Sequence, residues 1–272
     1  MKKSNLDIAM VQCDLVWENP AASRAHIDTL LLTMNEQADV VVLPEMFTTG
    51  FSMDFATQAE EHSDEMPSLL WMKEWSKKLN ALLMGSIAVR DQGKSWNRLY
   101  AVKPSGEVQT YDKRHTFRFA SEHLHFEPGV ERALIEWQGW KIAPFICYDL
   151  RFPVWSRNQM RGVSLAYDAM VYVANWPAVR SQAWGKLLLA RAIENQAYVI
   201  ACNRMGQDGK GLEYSGDSVV IDFRGEEMTR PCPNEECIIR SSISADALED
   251  FRTKFPAWMD ADDFVAPWRP LP

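Results

Sequence analysis

Residues 141–153 read Lys141-Ile-Ala-Pro-Phe-Ile-Cys147-Tyr-Asp-Leu-Arg-Phe-Pro153. The first seven form a short, nearly continuous apolar run, the pattern of a strand buried on both faces. Pro153 suits the first turn of a helix, and a helix is predicted near Pro153–Arg161. A strand that runs straight into a helix is half of an α/β unit. Upstream, Leu134–Trp137 and Trp140–Cys147, joined through Gly139, read as a hairpin. Downstream come a strand at Ala169–Ala174, a helix at Gln182–Gln196 and a strand at Tyr198–Cys202.

The N-terminal half repeats the alternation. Leu6–Cys13 reads as a strand. Asn19-Pro20 caps and opens a helix with Ile27, Leu30, Leu31 and Met34 at helical spacing. Val40–Leu43 is a short buried strand. Pro67 opens a second helix carrying Leu70, Met72, Trp75 and Leu79, and Leu82–Val89 is a strand. Trp96–Val102 and Val108–Tyr111 form a hairpin through Pro104-Ser105-Gly106. Lys113–Gly129 has no clean period and reads as a long loop, ordered rather than disordered because it carries three aromatics. Ser218–Asp222 and Cys237–Ser242 read as strands around an Arg224-Gly225 turn, and Ser244 caps a last helix to about Phe255. The order predicts an α/β fold with a mixed, layered sheet. No linker divides the chain, so a single domain is expected over residues 1–255. The tail, 256–272, has four prolines with Trp258, Phe264 and Trp268. It reads as a strap packed on the domain or on a partner copy.

Composition narrows the function classes. The 272 residues are 47% apolar, 24% charged and 11% aromatic, which excludes disordered, collagenous and coiled-coil chains. A chain of this length buries about 73% of its unfolded surface and needs no staples. Its charge of −8 argues against nucleic acid or an anionic membrane as the main partner. No apolar run reaches the roughly 18 residues of a membrane span, and Asp7 interrupts any export signal. Five cysteines, an odd number, read as free thiols in a reducing cytoplasm. Cys232 and Cys237 lack the second pair that a zinc site requires.

Certain residues could carry chemistry. Cys147 sits at a strand-to-helix bend, where a thiol faces a cleft and the next N–H can meet an oxyanion. It could equally fill the core. Glu45 follows Val40-Val-Val-Leu-Pro44, outside the end of a buried strand, where ligands of α/β sheets collect. Desolvated there, it could act as a base; otherwise it is a solvated loop acid. Lys113 closes Tyr111-Asp-Lys113 and could stabilise a developing oxyanion. Glu122 could orient that lysine. The same loop holds His115, His123 and His125, too loosely spaced for a metal site.

Taken together these positions resemble the nitrilase superfamily of carbon–nitrogen hydrolases. Its motifs occur in order as Leu43-Pro-Glu45-Met-Phe, Tyr111-Asp-Lys113-Arg-His-Thr-Phe117 and Ile146-Cys147-Tyr-Asp-Leu-Arg151-Phe-Pro153. Val173-Ala-Asn-Trp-Pro177, Ala190-Arg-Ala-Ile-Glu-Asn-Gln196 and Tyr214-Ser-Gly-Asp217-Ser match further, so the resemblance spans about residues 5–245. It implies a four-layer α-β-β-α sandwich that usually dimerises. It also implies a Glu45–Lys113–Cys147 triad with Glu122 as a second glutamate, and neither metal nor organic cofactor. Cys147-Tyr-Asp and the tail Lys254-Phe-Pro-Ala-Trp258 look like the bacterial omega-amidase branch, although Thr116 stands where that branch more often has Leu. The implied substrates are short dicarboxylic monoamides: 2-oxoglutaramate, 2-oxosuccinamate and succinamate.

Such a substrate carries a distal carboxylate, for which arginine is suited. Arg118 and Arg180 are the preferred candidates, with Arg151 as a third and Phe117, Tyr148 and Trp176 as walls. Three rivals stay open at this level. The first is a Cys–His hydrolase using His123 or His125. The second is a non-catalytic homodimeric interaction protein. The third is an amidase of the same superfamily with another substrate, such as a deaminated glutathione.

Overall fold

The computed structural model describes residues 2–54, 59–161, 164–230 and 232–262. In chain order, β1 (Asn5–Gln12), α1 (Pro20–Leu31), β2 (Val40–Val42), α2 (Pro67–Leu79), β3 (Leu82–Asp91), β4 (Lys94–Val102) and β5 (Val108–Asp112) build one half. β6 (Ile135–Trp137), β7 (Trp140–Ile146), α3 (Pro153–Ser156), β8 (Ala169–Ala174), α4 (Ser181–Asn195), β9 (Tyr198–Asn203) and β10 (Val219–Ile221) build the other. β11 (Cys237–Ser244) and α5 (Ala245–Lys254) follow.

The strands make two mixed sheets. One runs β11-β1-β2-β3-β4-β5, with the short Glu60–Glu61 strand beside β3. The other runs β10-β9-β8-β7-β6. The pairs β1/β2, β2/β3, β7/β8 and β8/β9 are parallel. The period of two along each strand sets the layers. Leu6, Ile8, Met10, Val40 and Val42 share a core with the second sheet, whereas Ala9, Val11 and Val41 meet Ile27 and Leu31 of α1 and Leu69 and Met72 of α2. Trp184, Leu188 and Ala192 of α4 join the core of the second sheet. The result is the expected α-β-β-α sandwich. Asn19 caps α1 by accepting from the Ala22 N–H at 3.1 Å.

Two expectations are corrected. The helix at Pro153 is a single turn that ends at Ser156. Asn158 draws the chain away: its N–H donates to Asn195 Oδ1 at 2.7 Å and its Nδ2 to the Tyr167 carbonyl at 3.0 Å. The strands on either side of the Arg224-Gly225 turn belong to different sheets. The turn closes on itself, Gly225 N–H to the Asp222 carbonyl at 2.9 Å. β11 instead pairs along its full length with β1, from Asn5↔Ser244 to Gln12↔Cys237, a longer ladder than three-residue β10 offers. A small hairpin, Met205–Gln207 with Glu213–Ser215, is an addition.

At the start of the tail, the Trp258 N–H donates to Gln196 Oε1 at 3.2 Å, beside the end of α4. Residues 263–272, with Phe264 and Trp268, lie outside the described residues. Among the described residues no helix is long and apolar enough to cross a membrane.

Candidate active site

The C-terminal ends of the parallel strands converge at one end of the sandwich, where α/β sheets bind ligands. Glu45 follows β2, Cys147 follows β7 and Asn175 follows β8. Lys113 follows β5, its N–H donating to the Asn97 carbonyl at 3.0 Å and its own carbonyl accepting from the Gly129 N–H at 2.8 Å. Gly129 is required there, because a Cβ would lie 2.1 Å from the Asp112 carbonyl oxygen. Cys147 opens a short 3-10 turn, Cys147–Arg151, with φ +43°, a left-handed conformation that costs a non-glycine residue energy and that clusters at functional sites. Asp149, fully buried, fixes this turn. It accepts from Ile146 N–H at 3.1 Å, Tyr111 Oη at 2.7 Å and His115 N–H at 2.9 Å.

Four chemical groups meet in the buried centre. Lys113 Nζ donates to Glu45 Oε1 at 2.8 Å and to both Glu122 oxygens at 3.0 Å. Asn97 Nδ2 donates to Glu45 Oε1 at 2.8 Å and to Glu122 Oε1 at 3.3 Å. Glu45 Oε2 accepts from the Asn175 N–H at 2.8 Å, and Glu122 Oε2 from the Phe117 N–H at 2.5 Å. The Cys147 thiol donates to the Asn175 carbonyl at 3.8 Å, and Glu45 and Lys113 lie near enough to act on its charge. Glu45 and Glu122 are wholly buried, and Lys113 is 1% exposed.

Burial and charge act differently on each group. Burial pushes the Cys147 thiol well above the ordinary range; Glu45 pushes the same way and Lys113 opposes. Cys147 therefore rests as a thiol beside Glu45. Burial also raises Glu122, against the pull of Lys113. For Lys113 burial works against the charge, but Glu122 and Glu45 outweigh it and hold the lysine protonated. Two carboxylates and one ammonium make a cluster that can pass a proton and still present a cation to an oxyanion.

Cys147 and Lys113 open into a cavity of about 280 Å³, walled in part by Phe117, Tyr148, Trp176 and Arg180. The sequence matches the carbon–nitrogen hydrolase family over residues 7–253. The chain belongs to that family. A relative in Escherichia coli strain K12, omega-amidase YafV, is 48% identical over 95% of this chain and 98% of its own length. A 2-oxoglutaramate amidase of Bacillus subtilis is 33% identical over 93% of this chain and 96% of its own. The crystal structure of XC1258 from Xanthomonas campestris, a CN-hydrolase superfamily protein with an arsenic adduct in its active site, superposes with a TM-score of 0.94. It is 43% identical and covers 97% of this chain and 100% of that one.

In this carbon–nitrogen hydrolase, Glu45, Lys113, Glu122 and Cys147 come together as the sequence predicts, and Phe117, Tyr148, Trp176 and Arg180 line the cavity. Arg118 does not reach it. Arg118–Ala120 is a 3-10 turn, in which successive residues point about 120° apart. Phe119 and Ala120 line the cavity, while Arg118 is exposed outside it. Neither His123 nor His125 lines the cavity, and His115 Nδ1 is engaged by Asp149 at 2.8 Å. Among the described residues no group of three or more His, Cys, Asp or Glu side chains could hold a metal ion. Sequence reasoning missed Asn97 and Asn175, the neutral donors to Glu45, and the hairpin wall with Asp208, Lys210 and Tyr214. Asn175 stood inside the matching stretch 173–177 and Tyr214 at the head of the matching stretch 214–218, the available hints.

Proposed function

We propose that this hydrolase is an omega-amidase. It cleaves the terminal amide of short dicarboxylic monoamides, such as 2-oxoglutaramate, 2-oxosuccinamate and succinamate, to the dicarboxylate and ammonia. The observation that carries the reading is a cavity with a buried Glu–Lys–Cys cluster and, on its walls, Arg151, Arg180 and Lys210, none in an ion pair with a described acidic residue. The first feature suits an amide and the second an anionic tail.

Cys147 is the nucleophile in this reading. Its sulfur bonds to the amide carbon while Glu45 takes the thiol proton. One Lys113 N–H sits on Glu45 and one is shared by the Glu122 oxygens, leaving the third, with the Tyr148 N–H, for the oxyanion. Glu45 then hands its proton to the departing nitrogen, which leaves as ammonia, and a thioester remains. Water adds to the thioester carbon as Glu45 removes its proton, the carbon–sulfur bond breaks, and the proton returns to sulfur. Glu122 holds Lys113 in place. No residue in the sequence of steps is a histidine, and no metal or organic cofactor takes part.

Five free thiols support a cytoplasmic setting, and a homodimer or higher homo-oligomer is the proposed assembly. The test is ammonia release from a panel of omega-amides, with a parallel sample alkylated by iodoacetamide and its adducts mapped. Release from 2-oxoglutaramate or succinamate that stops when Cys147 alone is modified is expected. Activity lost with Cys147 unmodified overturns its assignment as nucleophile. A faster reaction with a larger amide, such as a deaminated glutathione, favours the other substrate.

A further inference from the structure

The tip of the small hairpin that follows β9 is built for rigidity. Asp208, 8% exposed, accepts from the Lys210 N–H at 2.9 Å and the Leu212 N–H at 3.0 Å through Oδ1, and from Tyr214 Oη at 3.0 Å through Oδ2. The Gly211 N–H donates to the Asp208 carbonyl at 2.9 Å, with Gly211 at φ +80° as the turn requires. Below the tip, the fully buried Arg204 lies 4.6 Å from the centre of the Tyr214 ring. It donates to the Met205 and Gln207 carbonyls and pairs with Asp14. A buried arginine thus clamps the base of the hairpin, and a buried carboxylate sets its tip. Asp208, Lys210 and Tyr214 all line the cavity that Cys147 enters.

The cavity's other two uncommitted cations are seated on rings. Arg151 lies 5.0 Å from the Trp176 ring centre, and Arg180 lies 5.4 Å and 5.8 Å from those of Phe117 and Phe119. Their flat faces serve as wall. Lys210 is a compact charge with three donors on a preorganised tip. It also has a second effect that the arginines lack. Asp208 places a negative charge on the same wall, and Lys210 offsets it. Removing Lys210 takes away an attraction and leaves the tip with the charge of Asp208 alone, whose oxygens are held by the Lys210 and Leu212 N–H groups and by Tyr214 Oη.

Resting on the amidase reading, we infer that Lys210 is the residue that selects substrates with a distal carboxylate, and that Asp208 and Arg204 position it. The experiment compares succinamate with butyramide, which has a methyl group in place of the carboxylate. The ratio of kcat/KM for the two is measured for wild type, Lys210→Met, Lys210→Arg, Arg151→Met and Arg180→Met, with unfolding midpoints as a folding control. In wild type, succinamate is favoured. Lys210→Met lowers the ratio at least about tenfold, the lower end for losing a charge-assisted hydrogen bond, and does so through the KM for succinamate. Lys210→Arg, which keeps the charge and carries the same folding risk, retains most of the preference. A smaller fall in Lys210→Met, or an equal or larger fall in either arginine variant, overturns the assignment of Lys210. No preference in wild type overturns instead the carboxylate-bearing substrate itself.

Discussion

The cavity joins two regions that use charge in opposite ways. At its buried end, Lys113 is held by two carboxylates, and every partner is a protein atom at hydrogen-bonding distance. On its walls, Arg151, Arg180 and Lys210 are open to solvent to varying degrees and have no acidic partner among the described residues. The first arrangement is preorganised for a reaction whose charge appears only at the transition state. The second waits for a ligand that brings its own charge. A buried charge deprived of its partner is costly, whereas an exposed one is screened by water, so disruption at the two ends has unequal consequences.

Glu45→Gln tests the buried end most severely. With the proposed base gone, turnover falls by roughly 10²–10⁴. The thiol responds in the opposite sense. Because Glu45 is one of the groups that push it up, losing that charge lowers its pKa, and alkylation of Cys147 by iodoacetamide shifts to lower pH. An unchanged or upward-shifted alkylation profile would show that the two groups are not coupled. The comparison would then lose its catalytic half.

Lys113→Arg comes next. Its charge is kept, but a planar fork cannot take the place of an ammonium among Glu45, Glu122 and Asn97, and turnover falls by about 10²–10³. Lys113→Met removes the charge and leaves two carboxylates facing each other, at a cost of about 3–5 kcal/mol in urea unfolding near neutral pH. That loss shrinks as pH falls, since a carboxyl group with a raised pKa is more readily protonated in the folded state and stabilises the fold below that pKa. More than about a tenth of wild-type turnover in Lys113→Arg would make the lysine peripheral.

Arg118→Met has the smallest effect. The side chain is exposed and outside the cavity, so kcat/KM for succinamate changes by no more than roughly a factor of two, the scale of a neutral surface substitution of about 0.5 kcal/mol. A large drop would place Arg118 at the carboxylate and blur the boundary between wall and surface.

Glu45, Lys113 and Cys147 were legible because each sits at a strand end that local pattern reveals. Val40-Val-Val-Leu-Pro44 announces Glu45, and the apolar run to Ile146 announces Cys147. Asn97 was not legible. It lies mid-strand in β4, and only the period of two that turns Leu99 and Ala101 inward carries it to Glu45, 52 residues earlier. Asn175 reaches Glu45 across 130 residues and between the two sheets.

What the sequence determined alone is the alternation of buried strands and capped helices, hence the α/β layering, together with Glu45, Lys113 and Cys147 as the candidates for the chemistry. Those depend on residues adjacent in the chain. The tertiary structure decided which strands share a sheet, sending β10 and β11 to opposite layers because β1 offers β11 the longer ladder. It also decided which cations face the substrate. Arg118 and Phe119 differ by one position and are both exposed, yet in the 3-10 turn only Phe119 borders the cavity. Lys210 enters only because a hairpin anchored by buried Arg204 folds back over the site. Distances between residues far apart in sequence are set by packing, and no local pattern encodes them.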